Sequence, residues 1–143
     1  MRREHFTAAV EAREQGVPAL HVTYDGPGEA LSDRVTDESG EPFGTDEIDA
    51  AFRLQDPLDA DDATGVFGLT HRVTGDYLLE INVDAGALLS MVQSARDTDE
   101  ASYRVRVDYD DQTIVYDMCA LFVYDHTGEL LRQRSLIPSG VEL

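Results

Sequence analysis

The residues best placed to do chemistry lie in the last third of the chain. Arg104 and Arg106, and again Arg132 and Arg134, are two apart, the spacing that puts strand side chains on one face. If Asp110-Asp111 is a two-residue hairpin turn, Tyr109 faces Gln112, Arg104 faces Asp117 and Arg106 faces Val115. If 125–128 is a four-residue turn, Tyr124 faces Glu129, Arg132 faces Leu121 and Arg134 faces Cys119. The arginines then share a face with Asp117, Val115, Cys119, Leu121 and Val123. Val105, Val107, Ile114, Tyr116, Met118, Phe122, Tyr124, Leu131 and Ile137 take the core side. Arginine over an apolar floor characterises protein interfaces, so Arg104, Arg106, Arg132, Arg134 and Leu121 are the expected contact residues. The same guanidinium forks would suit a phosphate or carboxylate ligand. The plainer alternative is that each arginine pairs with a nearby carboxylate and lays its stem over the sheet. A slip of one residue in register would break the grouping.

Other sets offer less. The acidic loop Asp56–Thr64, with Asp59, Asp61 and Asp62 as its weak candidates, presents oxygens of the kind a hard cation takes. It lacks the spacing of a helix-loop-helix calcium site, and carboxylates are abundant everywhere, so no metal site is expected. Cys119 lies in Met118-Cys119-Ala120-Leu121-Phe122. A nucleophilic thiol needs an open, electropositive setting, and these apolar neighbours predict a buried small hydrophobe instead. His5, His21 and His71 fall in predicted strands and could converge, while His126 falls in a turn; no pair has ligand spacing. No glycine-rich phosphate loop and no nucleophile elbow is present. No catalytic residue and no cofactor is expected, although an enzyme with a loop-built site stays open.

Charge narrows the environment. The chain carries 29 acidic and 11 basic side chains, a net charge of −18, and every basic residue is arginine. Self-repulsion of that size destabilises a compact state in dilute buffer. It becomes bearable when salt shortens the Debye length to about 3 Å, as at 1 M. Arginine, the weakly hydrated fork-shaped cation, suits carboxylate pairing there. The acids are spread along the chain, which favours a molar-salt environment over an acidic nucleic-acid mimic or a binder of basic proteins. No basic, aromatic-interleaved patch suggests nucleic-acid binding. No run approaches the roughly 20 apolar residues of a membrane span. The opening MRREHFTAAVEARE has no apolar signal region, and a lone cysteine excludes a disulfide framework. The expected location is the cytoplasm.

The elements that must position these residues are mostly strands, and 143 residues suit one domain over 1–143. Alternation predicts strands over 4–14, with Phe6, Ala8, Val10 and Ala12 on one side, and over 19–24, ended by Asp25-Gly26-Pro27-Gly28. Short strands follow at Leu31–Thr36 and Ile48–Gln55, then a hairpin of 65–73 and 77–83 about Thr74-Gly75-Asp76. Strands over 102–109, 112–124 and 129–137 end the chain, the middle one apolar on both faces and so expected to be central and covered. One helix stands out. Asp84 is its N-cap, Ala85, Leu88, Met91, Val92 and Ala95 form its apolar stripe, and Arg96 suits its C-terminal end. Many short strands with one helix predict a mainly β chain of the α+β class, an antiparallel β-sandwich with a helical insert near 84–97. An open α+β sheet is the alternative.

Two resemblances add to this reading. Arg34-Val35-Thr36-Asp37-Glu38-Ser39-Gly40-Glu41-Pro42-Phe43, followed by Ile48–Leu54, resembles the strand-turn-strand opening of bacterial immunoglobulin-like domains. That resemblance implies an immunoglobulin-like sandwich. Met1-Arg2-Arg3-Glu4-His5-Phe6 and the segment Gly128–Gly140 resemble a family of small haloarchaeal proteins. This implies a haloarchaeal origin and carries over no activity or site. The expected function is that of a noncatalytic, halophilic cytoplasmic domain acting through protein contacts, with a protein partner or a second copy on the arginine-bearing face. A small-ligand or anion-binding protein is the alternative. A flat face would favour assembly, and a concave pocket with convergent polar groups would favour a ligand.

Overall fold

Period-two burial and short turns build two four-stranded sheets. The computed structural model describes residues 5–11, 17–97 and 102–137. In chain order the elements are β1 (Phe6–Glu11), β2 (Ala19–Tyr24), α1 (Gly28–Val35), β3 (Ile48–Leu54), β4 (Thr64–His71) and β5 (Tyr77–Asp84). Then come α2 (Ala85–Arg96), β6 (Tyr103–Tyr109), β7 (Gln112–Met118) and β8 (Phe122–Tyr124). The first sheet has the order β1-β2-β6-β7 and the second β5-β4-β3-β8. The inward residues of both sheets join α2 in one buried cluster that includes Leu20, Val22, Phe52, Phe67, Leu88, Met91, Val105 and Tyr116. Helix α2 packs against strands of both sheets. No helix among the described residues is long and apolar enough to cross a membrane.

The local signals that were strongest in sequence hold. Asp84 caps α2 by accepting from the Ala87 amide at 2.9 Å, and Ala85, Leu88, Met91, Val92 and Ala95 are all buried. The β4–β5 turn places Gly75 at φ +77°, where a side chain would be strained. Asp110 and Asp111 both take positive φ and close the β6–β7 hairpin in the register Tyr109–Gln112, Arg106–Val115, Arg104–Asp117.

Longer-range expectations fail for identifiable reasons. The class is mainly β and α+β, but the sheets are not wholly antiparallel, since β2–β6 and β3–β8 run parallel. Parallel neighbours need long crossovers, and pairing over such a span leaves no local trace. The segment Leu31–Thr36 is not a strand but the end of α1. Leu31 and Val35, four apart, are fully buried on one helical face, and the Thr36 hydroxyl donates to the Ser32 carbonyl at 2.6 Å. The residues that suggested an immunoglobulin-like opening therefore begin in a helix. The expected strand 112–124 is two strands on the edges of different sheets. Met118 is buried, Cys119 is exposed, and Leu121 and Val123 are buried, so side-chain parity switches as the chain crosses over. Its apolar look on both faces comes from this switch, and the covered central strand is β4. Tyr103 pins the crossing by donating to the Ala120 carbonyl at 2.8 Å, its phenol pushed well above the usual range by burial. Finally, 129–137 is a 3₁₀ turn at Arg132–Arg134 between single bridges, Tyr124–Leu130 and Leu121–Leu136. Buried Ser135 holds it, donating to the Leu131 carbonyl and accepting from the Val123 amide. Residues 4 and 12–14 of the first expected strand lie outside the described residues.

Candidate binding face

Register fixes what the outer face of the first sheet displays. Its outward side chains form three rows across β1, β2, β6 and β7. The first is Glu11, Ala19, Arg104, Asp117; the second Ala9, His21, Arg106, Val115; the third Thr7, Thr23, Asp108, Thr113. All are exposed except Ala19, His21 and Asp108, which are half-buried. No described element lies over this face. It mixes both signs of charge with small and β-branched side chains, and toward the β6–β7 turn it carries a shallow hollow of about 340 Å³ lined by Thr23, Arg106, Asp108 and Thr113 among others.

Ion pairs tie the rows together. Arg104 Nε donates to Asp117 Oδ1 at 2.8 Å, directly across the β6–β7 pair. Asp108 is a hub. Its Oδ1 accepts from the Thr113 hydroxyl at 2.6 Å and from Arg106 Nε at 3.4 Å, and its Oδ2 lies 2.5 Å from His21 Nε2. The Thr113 hydrogen bond, then that of His21, holds the Asp108 carboxyl down to about 2. The other ring nitrogen of His21 is 3.0 Å from Glu11 Oε1. An imidazole flanked by two carboxylates satisfies both when both nitrogens carry protons.

This hub does not have the arrangement of a nucleophilic relay. A nucleophilic relay needs a histidine nitrogen turned to a hydroxyl or thiol. Here both nitrogens meet carboxylates, and the Thr113 hydroxyl donates to Asp108. Arg104 and Arg106 each pair with a carboxylate on the same face.

The expected contact residues divide. Arg104 and Arg106 lie on this face beside Val115 and Asp117. Arg132 and Arg134 do not, because their segment turns as a 3₁₀ helix against α2 and β8. Leu121 is fully buried and cannot contribute to an exposed surface. Cys119, expected to be buried, is exposed. Asp59, Asp61 and Asp62 are all exposed in the β3–β4 loop, and no three His, Cys, Asp or Glu side chains converge as metal ligands among the described residues. The histidines do not converge. His21 joins the hub, His5 stacks edge-on Tyr24, and His71 packs against Phe43. Glu11, Asp108 and Thr113 were not singled out from sequence, and His21 was named only as one of three strand histidines that could converge. The period-two step from Arg104 and Arg106 reaches Asp108 and gave one usable signal; the parallel β2–β6 pairing that brings His21 alongside gave none.

Comparison with curated proteins and with solved structures finds no match. A family model described as a family of unknown function, DUF5793, matches residues 1–143. The chain therefore belongs to that family.

Proposed function

We propose that this protein is a noncatalytic cytoplasmic domain of a cell with molar internal salt, and that it works by protein contact, pairing with a second copy of itself across the outer face of the first sheet. One observation carries the reading. On a chain of net charge −18, that face sets Arg104 and Arg106 against Glu11, Asp108 and Asp117, within one charge of neutral. Two such chains repel almost everywhere else, and a face whose charges are already paired within it can meet its own copy about a two-fold axis with little repulsion.

The face is small. Four strands and three outward rows span roughly 20 Å by 17 Å, below the usual 800 Å² or so per partner, so the association is weak and concentration-dependent. Sedimentation equilibrium in about 2 M KCl tests it. Wild type should pass from monomer to dimer mass at high protein concentration, and Arg104→Glu with Arg106→Glu should stay monomeric with an unchanged circular dichroism spectrum. A wild type that remains monomeric to about 1 mM would sink the proposal, as would a charge-reversed variant that dimerises equally well.

A further inference from the structure

We propose that a cleft built from different elements, between α1 and the β4–β5 turn, binds a small amphoteric ligand bearing a carboxylate and an ammonium on a flat apolar body. The cleft has a volume of about 480 Å³ and is lined by Asp33, Arg34, Phe43, His71, Asp76 and Tyr77 among others. That is the size of an ordinary small-molecule site.

Its donors are set in place before any ligand arrives. Arg34 donates through Nη1 to the Tyr77 carbonyl at 3.1 Å, which leaves the remaining N–H groups of the fork available for a carboxylate. The Val73 and Thr74 amides both donate to His71 Nδ1 at 3.3 Å. This assigns the ring proton to Nε2, a second donor. Phe43 meets the His71 ring edge-on, with centroids 4.8 Å apart. The Tyr77 ring lies over Gly68, where an added Cβ would come 3.4 Å from Cε1. The two rings give the cleft apolar walls.

The charges select the ligand. Asp33 and Asp76 oppose a dianion such as phosphate, and Arg34 opposes a simple cation. A molecule carrying both signs close together can offer its carboxylate to Arg34 and His71 and its ammonium to the neighbouring Asp33 and Asp76, without leaving a charge unpaired.

Two-dimensional ¹H–¹⁵N NMR of the full chain in about 2 M KCl tests this, with L-phenylalanine as the probe and 3-phenylpropionate and 2-phenylethylamine as its halves. L-phenylalanine should shift the Val73, Thr74 and Tyr77 amides saturably, and each half should bind at least about tenfold more weakly. Arg34→Gln should weaken L-phenylalanine about tenfold. Because Arg34 also holds the Tyr77 carbonyl, Asp76→Asn serves as the second variant; it should weaken L-phenylalanine without weakening 3-phenylpropionate. No saturable shift up to about 20 mM L-phenylalanine overturns the proposal. So do equal affinities for L-phenylalanine and 3-phenylpropionate, or shifts confined to the outer face of the first sheet.

Discussion

Gly65 stands where two strands of the second sheet leave no room for a side chain. It pairs with Leu54 on one side and Val83 on the other. A methyl group at this position would lie 2.4 Å from Phe52 Cζ and 2.7 Å from the Arg53 carbonyl oxygen. Carbon atoms in contact sit about 3.5–4 Å apart, so the neighbours must yield by about an ångström. Phe52 is fully buried and cannot swing away, and the carbonyl belongs to the backbone of β3. Overpacking of this kind costs about 1–3 kcal/mol. Alanine recovers roughly 0.5–1 kcal/mol over glycine in a strand. The net expectation for Gly65→Ala is a loss of about 1–2 kcal/mol, or a fall in Tm of several degrees for a chain of this length. Phe52→Leu removes the offending ring edge, so Gly65→Ala should cost about 1 kcal/mol less in that background. The part due to the Arg53 carbonyl should remain. Urea unfolding at fixed KCl measures both costs without changing ionic strength. Wild-type stability for Gly65→Ala, or the same cost in both backgrounds, would refute the reasoning.

Acid should unfold the protein partly through Asp108. Its carboxyl sits at about 2 in the fold against an ordinary 3.8, held there first by Thr113 and then by His21. A lowered folded value contributes stability that is present above 3.8 and is lost as pH falls toward 2. Asp37 and Asp125, lowered chiefly by hydrogen bonds from Ser39 and Thr127, act with the same sign. In molar KCl the urea midpoint should fall over that window, and Asp108→Asn should flatten the fall; an unaltered slope in the variant would exclude Asp108 as a contributor. The β6–β7 turn offers a gain instead. Asp110 and Asp111 sit at φ 48° and 61°, where Asn-Gly is the favoured pair. Asp110→Asn with Asp111→Gly should stabilise by about 1 kcal/mol in molar KCl. It should stabilise by more at 0.1 M, where the longer Debye length of about 10 Å lets the lost repulsion count. Melting curves at the two salts check this, and an equal gain at both would remove the electrostatic part.

What the sequence made legible was set by how far apart the interacting residues lie. Asp110-Asp111 stands between two alternating runs, so the facing of Arg104 with Asp117 could be read directly. Asp84 before a clear apolar stripe made α2 readable to within a residue. Thr23 and Asp108 pair in parallel across most of the chain, and nothing near either residue signals it. That pairing brings His21 to the Arg106 position, so half of the candidate face was invisible. The crossing at 119–121 misled for a physical reason. Its two halves bury opposite parities, which in one dimension looks like a strand covered on both sides. Helix α1 is short, and the buried positions among its described side chains, Leu31 and Val35, are too few to separate helix from strand. The cleft went unseen with it, because the contact of Arg34 with the Tyr77 carbonyl joins residues 43 apart in the chain.

Concentrated salt changes which electrostatic terms can choose a contact face. At about 1 M the Debye length is near 3 Å, so a charge of −18 stops acting between separated molecules while groups in contact still feel each other. A surface such as the β3–β4 loop would press Asp59, Asp61 and Asp62 against carboxylates of a second copy at distances that salt does not screen. The outer face of the first sheet brings Arg104 and Arg106 already paired with Asp117 and Asp108, so neither cation enters an interface bare. The sign of the salt response follows. An interface held by new intermolecular salt bridges weakens as salt rises. Here the bridges are intramolecular, and the term that salt removes is repulsion between whole molecules. Association should therefore strengthen as KCl rises toward about 1 M and then level off. Sedimentation across a KCl series reads this directly, and a dimer that dissociates steadily with added salt would mean that its ion pairs run between the copies instead of within each one.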